Sequence, residues 1–556
     1  MDDELKSYNN RLQALRTERD PWMGYWGELS DNVLFSRGKA LTKQRGRPVR
    51  NTKQYNNTPR IAARIQQSGM MAGITSPARP WFKVTTSDPM LNERRTVKDW
   101  LHIVQSLMNE VFSHSNVYNC LNTIYGDLGT FGVGAMGVYE NYSSVIRCFN
   151  YPIGSYMLSQ GPDYEIDTFY YEGVKTVSQL VKEFGLENVS TSTQNMWKRN
   201  QTETLVEYVH VVEPNDDRDQ LSPLASDKKF RSRYYELGTQ SKKAEKMLRK
   251  SGFDTFPIMT PRWDVSPDAA YGDDCPGMTC LGDCKALQLG EKRKYQALDK
   301  LANPPMQGDA TVISKIKDGV LNPGDLIAIG QNQMELKSVY TNFQPRLDYV
   351  QAIQKEVEQR INTSYFVDLF LMMAKSDRRE VTAREIAEKH EEKLLMLGPV
   401  LERLHTELLD KLIDRTFDIM QRNGMLPPPP RELANMELNI EYVSVMAQAQ
   451  RMVGISAVER TIGFVANISQ MWPEARHKVD AMQAVDEYAQ AVGINPRVVR
   501  PDEEANEIVA AEQQAAAQQQ QMAMQAEAAK TMKDASAATV TDENALGVML
   551  RNAGLQ

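Results

Sequence analysis

The sequence predicts an α+β fold in which helix predominates. Three features carry that reading: long runs with apolar residues three and four apart, a strand-rich stretch confined to residues 133–240, and a strand–turn unit set between two long helices. At 556 residues the chain is long enough for about two to four domains and a large buried core. Its 41% hydrophobic and 25% charged residues fit an ordinary globular composition, which sets aside disordered and fibrous classes.

The chain opens on a helix. Leu5, Tyr8, Leu12 and Leu15 share one face, and Asp20-Pro21 is expected to cap a second helix bearing Trp22, Trp26, Leu29 and Val33. Glycine, proline and asparagine in GRPVRNTKQYNNTP predict a loop, and Thr58-Pro59 opens a helix to about Met71. Pro77 and Pro80 rigidify a turn into a strand at Trp81-Phe82, and Asp88-Pro89 is expected to start an amphipathic helix with Val97, Trp100, Leu101, Val104, Leu107, Met108 and Val111 on one face. The strand candidates that follow are VGAMGVYE, SVIRCF, EIDTFYYEG and LVEYVHVVE; Thr176–Gly185 reads as a short helix stopped by glycine.

From Phe253 to Met306 a Phe-Pro-Ile run, an Arg-Trp pair and a Tyr-Gly turn lead into a charged helix that Asn-Pro-Pro halts. TVISKIK and LIAIG then flank the turn Asn322-Pro323-Gly324. A second long helix carries Leu347, Val350, Ile353, Val357 and Ile361, and the polar break MMAKSDRRE follows it. Thr382 and Glu385 form a capping-box pattern opening a third helix. In it Leu394, Leu397, Leu401, Leu404 and Leu408 make a coiled-coil-like seam that Gly398-Pro399 is expected to kink or split. Pro427–Pro430 mark a stiff boundary; a strand-like MELNIEYVSV and helix to about Gly493 follow. Residues 502–546 hold 14 alanines and seven glutamines with no glycine or proline, a composition for helix stable only beside neighbours, or for low-complexity disorder.

Charge is unevenly spread. No acidic residue lies between Asp31 and Asp88, a window with eleven cations, so the remainder carries −18 against an overall −7. A basic block on an acidic chain suits contact with phosphate or an acidic partner, or a solvated arm. Its densest part holds Arg45, Arg47, Arg50 and Lys53. The acidic, polar N-terminus is unlike a secretory signal, five cysteines favour a reducing compartment, and no apolar run approaches the ~18 residues of a membrane span.

Catalytic motifs are missing or out of context. Gly132-Val-Gly134-Ala-Met-Gly137 spells a dinucleotide fingerprint but follows a helix and enters a strand, the reverse of what pyrophosphate binding needs. Gly38-Lys39 lacks the rest of a phosphate-binding loop, so ATP-driven work would need a separate motor subunit. Cys275, Cys280 and Cys284 lie near Asp273, Asp274 and Asp283, yet lack the paired spacing and fourth donor of a zinc site; packed thiols are the simpler reading. The histidines at 102, 114, 210, 390, 405 and 477 are scattered, and Asp216, Asp217 and Asp219 sit in a polar loop beside Arg218. No catalytic residue, metal or cofactor is assigned.

Four segments resemble the bacteriophage portal proteins, specifically the head-to-tail connecting proteins of short-tailed phages. They are SGMMAGITSPARPWFKV (Ser68–Val84), YGDLGTFGVGAMGVYE (Tyr125–Glu140), the FPI–RW–YG–helix–NPP order within Phe253–Met306, and the stretch from Phe366 to Met420. The Pro-x-Arg-Pro-Trp-Phe motif is the most specific of them.

The resemblance implies a homo-oligomeric ring, usually of twelve copies, at one capsid vertex in the virion, built in the host cytoplasm. Double-stranded DNA would pass through it during packaging and ejection. Its partners would be the terminase large subunit, tail adaptors, and major capsid and scaffolding proteins, with no membrane. It implies a wing (1–279, with the basic loop 37–53), stem helices at 280–303 and 346–364, a clip at 304–345 and a tunnel-loop region at 365–381. A long kinked helix at 382–424, a crown at 425–500 and a C-terminal barrel-type helix or flexible tail at 501–556 complete it. Lys375, Arg378 and Arg379 become DNA-channel candidates, and Lys315 and Lys317 candidates for motor or tail contact. A channel through which DNA slides should hold few phosphate-gripping cations, as the net acidic chain allows. The competing readings are a metal-dependent nuclease with dispersed carboxylates, and another structural virion protein.

Overall fold

The computed structural model describes residues 3–34 and 37, nearly all of 54–302, residues 347–375, 395–433 and 438–443, and shorter runs including 306–307, 337–338, 461–469 and 508–515; structural statements below concern these residues. The chain divides into two units, Met1–Gly454 and Ile455–Gln556.

Helix α1 (Asp3–Asn32) corrects the first expectation, since it runs unbroken through Pro21. An internal proline costs about 3 kcal/mol through its missing N–H and ring clash. Packing of both halves offsets it: Leu5, Tyr8, Leu12 and Leu15 bury in one apolar cluster, Trp26 and Leu29 in the largest. Between them buried Arg19 donates to the Gly154 carbonyl (3.0 Å).

Helix α2 (Thr58–Ile74) has Pro59 in its first turn, and strand β1 (Phe82–Thr86) follows the proline turn as expected. Helix α3 (Arg95–His114) starts later than Asp88-Pro89. The Thr86 N–H and Oγ1 both donate to Asn92 Oδ1, and Thr86 Oγ1 also donates to the Asp88 carbonyl, so local bonds hold this stretch in a turn. Helix α4 (Val117–Phe131) ends on Gly132 with φ +77, a left-handed C-cap that glycine adopts at no steric cost.

Strands β2 (Met136–Asn141) and β3 (Val145–Asn150) form a hairpin, and β9 (Ile258–Met259) pairs with β2. A five-stranded antiparallel sheet has the order β4 (Tyr156–Gln160), β5 (Ile166–Thr176), β6 (Leu205–Pro214), β7 (Phe230–Leu237), β8 (Ala244–Phe253). The sequence patterns marked β5 and β6 but missed β4, β7 and β8. Between β5 and β6 lie α5 (Val177–Phe184), opened by a Thr176/Gln179 capping box, and α6 (Thr191–Lys198).

After the short helix α7 (Pro276–Thr279), α8 (Leu281–Ala302) and α9 (Leu347–Ser364) pack against each other. Between them β10 (Met306–Gln307) pairs antiparallel with β11 (Lys337–Ser338); TVISKIK, LIAIG and the Asn322 turn lie outside the described residues. Helix α10 (Val367–Lys375) follows. The Thr382/Glu385 pattern also lies outside the described residues.

Helix α11 (395–422) is described from Leu395 onward, so Gly398-Pro399 fall in its first described turn, and its α geometry gives way to one π turn, His405–Leu409. Strand β12 (Leu438–Tyr442) returns to pair antiparallel with β1. In the second unit, residues 461–469 and 508–515 are helical.

Candidate functional site

The helix pair α8/α9 is seated on a buried apolar cluster that contains Cys280, Cys284 and Leu287 from one side and Val357, Ile361 and Tyr365 from the other. Arg360 reaches across to Asp283 (2.8 Å). All five cysteines are buried and free; the Cys280 and Cys284 sulfurs are 3.6 Å apart, and burial pushes the Cys275 and Cys148 thiols up, so these are packing thiols. Away from its seat the pair exposes large apolar side chains: Leu289, Tyr295, Leu298 and Leu301 on α8, Tyr349 and Ile353 on α9.

The basic block is held at both ends beside this pair. At its start Val33 and Leu34 join the cluster under α8, and Arg37 Nε lies 3.1 Å from Asp127 Oδ1. Burial raises the Asp127 carboxyl to about 6, and Arg37 only partly opposes the shift. At its end Gln288 of α8 grips the backbone: its Oε1 accepts from the Tyr55 and Asn56 N–H groups (2.6 and 2.9 Å), and its Nε2 donates to the Asn56 carbonyl (2.8 Å). Asn56 Nδ2 then donates to Glu358 of α9 (2.9 Å).

The Arg-Trp pair also finds its role here. Glu407, inside the π turn of α11, accepts from the Arg262 backbone N–H (2.8 Å), Nε (3.0 Å) and Nη2 (2.5 Å), while Arg262 Nη1 donates to the Ala269 carbonyl (3.0 Å). Arg403 donates to the Trp263 carbonyl (2.7 Å), and the His405 ring stacks on Tyr442, 3.8 Å between centroids. Burial depresses the half-buried His405 to about 4, and His210, buried in the five-stranded sheet, to about 3; both are neutral at pH 7.

The fingerprint glycines are structural. They follow α4 and enter β2, and Gly272 approaches Gly132 so closely that a Cβ on Gly272 would lie 2.1 Å from the Gly132 carbonyl oxygen. A cleft of about 650 Å³ is bordered by Asp163, Asp167, Asp216, Asp414, Lys411 and Arg415. Among the described residues no group of three His, Cys, Asp or Glu is arranged to hold a metal, and no helix is long and apolar enough to cross a membrane.

Of the residues singled out by sequence, Lys375 closes α10, with its side chain outside the description. Arg378, Arg379, Lys315, Lys317, Arg45, Arg47, Arg50 and Lys53 all lie outside the described residues. Sequence reasoning missed Gln288, Asn56, Glu358, Asp127 and Glu407. The first four give no sequence signal, because their roles come from chain segments far apart. Glu407 sits where the apolar stripe of α11 changes phase.

The chain matches the family of bacteriophage head to tail connecting proteins over residues 5–499. It is 44% identical over 547 residues to the portal protein of Salmonella phage epsilon15, covering 98% of this chain and 97% of that one. The chain belongs to the bacteriophage portal, or head-to-tail connecting, proteins. It is also 39% identical over 501 residues to the probable portal protein of Bordetella phage BPP-1. Among solved structures, a chain of the virion of a native gene transfer agent particle aligns over 84% of this one at 12% identity and a TM-score of 0.35, too low to bear on the fold. As a portal protein the chain is a virion component at the capsid connection, in a ring assembly with capsid and tail components, and the nuclease reading is not favoured.

Proposed function

We propose that this portal protein closes into a ring of twelve copies through which double-stranded DNA enters and leaves the capsid, without enzymatic activity of its own. The observation that carries the reading is the helix pair α8/α9. Six large apolar side chains stand bare along two adjacent helices, Tyr349 with 67% of its surface exposed and Tyr295 with 58%. Neighbouring copies of the same helices are what cover them in a ring, a contact of one face with a different face.

On this reading α8 and α9 are the stem, residues 304–345 the clip with Lys315 and Lys317 toward terminase large subunit or tail adaptors, and residues 365–381 the tunnel loop with Lys375, Arg378 and Arg379 toward DNA. Residues 1–279 and the returning helix form the wing, 425–500 the crown, and 501–556 a barrel-type helix or tail. Capsid and scaffolding proteins meet the ring during assembly in the host cytoplasm. Anchorage of both ends of the basic block beside α8 supports placing Arg45, Arg47, Arg50 and Lys53 against a neighbouring copy at stem level.

Electron microscopy of the purified protein tests the conduit. Closed rings with a channel wide enough for duplex DNA are expected, and DNA incubated with them and Mg²⁺ or Mn²⁺ stays uncut. A monomer that persists under every assembly condition, or cleaved DNA, overturns it. Alanine at Lys375, Arg378 and Arg379 together should leave rings intact and change DNA packaging; loss of rings would make the cluster structural.

A further inference from the structure

The buried residues of α11 fall into two sets. Before the π turn they are Leu397, Val400, Leu401 and Leu404; from its end onward they are Leu408, Leu409, Leu412, Ile413, Arg415, Thr416, Ile419 and Met420. On a regular α-helix the centres of the two sets would be rotated by about 100°, the angle of one residue. The π turn accommodates one extra residue, and this brings both sets onto one face of the helix against one core. The turn is therefore the element that fixes the rotation of residues 395–404 relative to the body.

It is also tied to a distant segment by side-chain hydrogen bonds, as Arg415 ties the later half of the helix to Val138 and Thr255. Glu407 takes three hydrogen bonds from Arg262, whose side chain is 5% exposed and whose neighbours Pro261 and Trp263 are bonded through their backbones to Gly134 and Gly132. Arg403 and His405, four and two residues before Glu407, add contacts to Trp263 and Tyr442.

We propose that Arg262 and Glu407 are positioning residues that hold the extra residue in the π turn. They thereby set the azimuth of the half-helix leading back toward the channel side of the ring. The purpose assigned to that azimuth rests on the conduit reading above; the positioning itself does not.

The test uses assembled full-length protein with the double substitution Arg262→Met/Glu407→Met, which removes the pair without leaving a buried charge unpaired. Adding a deletion of Thr406 to this variant removes the extra residue, so a regular helix again keeps both sets in phase and the native spacing should return; Arg262→Gln/Glu407→Gln stands in should the methionine pair fail to fold. The five native cysteines are buried, so spin labels can be placed on cysteines introduced at Glu402 (before the turn), Gln421 (after it) and Lys198 on α6. Pulsed electron resonance within a subunit then gives the 402–198 and 421–198 distances, and DNA content per particle is measured in parallel.

Loss of the π turn with its extra residue kept in a regular helix swings a side chain on the half-helix by about 8 Å, from a 100° turn at a radius of ~5 Å. For the double substitution the expected result is a shifted or broadened 402–198 distance, an unchanged 421–198 distance, and a DNA content reduced about tenfold in particles that still contain rings. An unchanged 402–198 distance in the folded substitution variant overturns the proposal, as does a shift that the added Thr406 deletion does not reverse, or an equal change in both distances, which would mean general loosening. A shifted 402–198 distance with normal DNA content supports the positioning role and refutes the channel purpose instead.

Discussion

Asp127 makes a sharp prediction because its environment is one-sided. It sits on α4, 4% exposed, with Arg37 as its ion-pair partner, and burial raises its carboxyl from 3.8 to about 6. The folded state therefore binds the proton more tightly than the unfolded one. Between about pH 4 and pH 6 folding takes up a proton, so stability falls as pH rises, and the penalty is fully present above pH 6. A shift of ~2 pH units corresponds to about 3 kcal/mol. Asp127→Asn removes the titration and keeps the size of the side chain. In equilibrium urea unfolding followed by tryptophan fluorescence, the variant should match or fall slightly below the wild type at pH 4. It should gain on the wild type by roughly 3 kcal/mol between pH 4 and pH 8. A stability difference that stays flat across this range would refute the reasoning. So would one of opposite sign, because Arg37 would then outweigh burial and hold the carboxyl below its usual value.

Three further outcomes follow from single contacts. Glu236, 2% exposed on β7, accepts from the Ser190 N–H and Oγ and from Thr193 Oγ1 at the start of α6; Glu236→Ala should cost about 2–3 kcal/mol in thermal or urea unfolding, with Glu236→Gln recovering part of it. Gln288→Ala removes the grip on Tyr55 and Asn56, and a loss of about 2 kcal/mol should speed hydrogen exchange of those two amides roughly 30-fold while amides of β6 keep their rates. Gly272→Ala, facing the Gly132 carbonyl, should destabilise by several kcal/mol, on the order of a severe backbone clash, whereas Gly24→Ala in exposed α1, with nothing within 4 Å of its new Cβ, should stabilise by about 0.5–1 kcal/mol; comparison of melting temperatures checks both.

Elements whose boundaries are set by local chemistry were legible in the sequence. Thr176 and Gln179 open α5, Gly185 ends it, and Pro59 starts α2, each by bonds within a few residues. Strands β5 and β6 announced themselves through β-branched and aromatic runs. Strand β8 did not, because in AEKMLRKSGF charged and apolar residues come in pairs instead of alternating, and its pairing with β7 shifts register twice. Pro21 misled for the opposite reason. Its local cost is real, but residues more than a hundred positions away, Gly154 and Glu172 holding Arg19, decide the matter.

The phase change in α11 shows where such reading could have gone further. A seam through Leu394, Leu397, Leu401, Leu404 and Leu408 is regular as far as it goes, which hides the step. Extending the pattern to Leu412, Ile413, Thr416, Ile419 and Met420 exposes a drift of one residue that no regular helix absorbs. A regular helix cannot keep two out-of-phase stripes on one core without an inserted residue. The insertion needs an anchor, and the carboxylate at 407 with the arginine at 262 supplies it. Those two residues are 145 positions apart, so periodicity could reveal that a π turn is required but not which partner holds it.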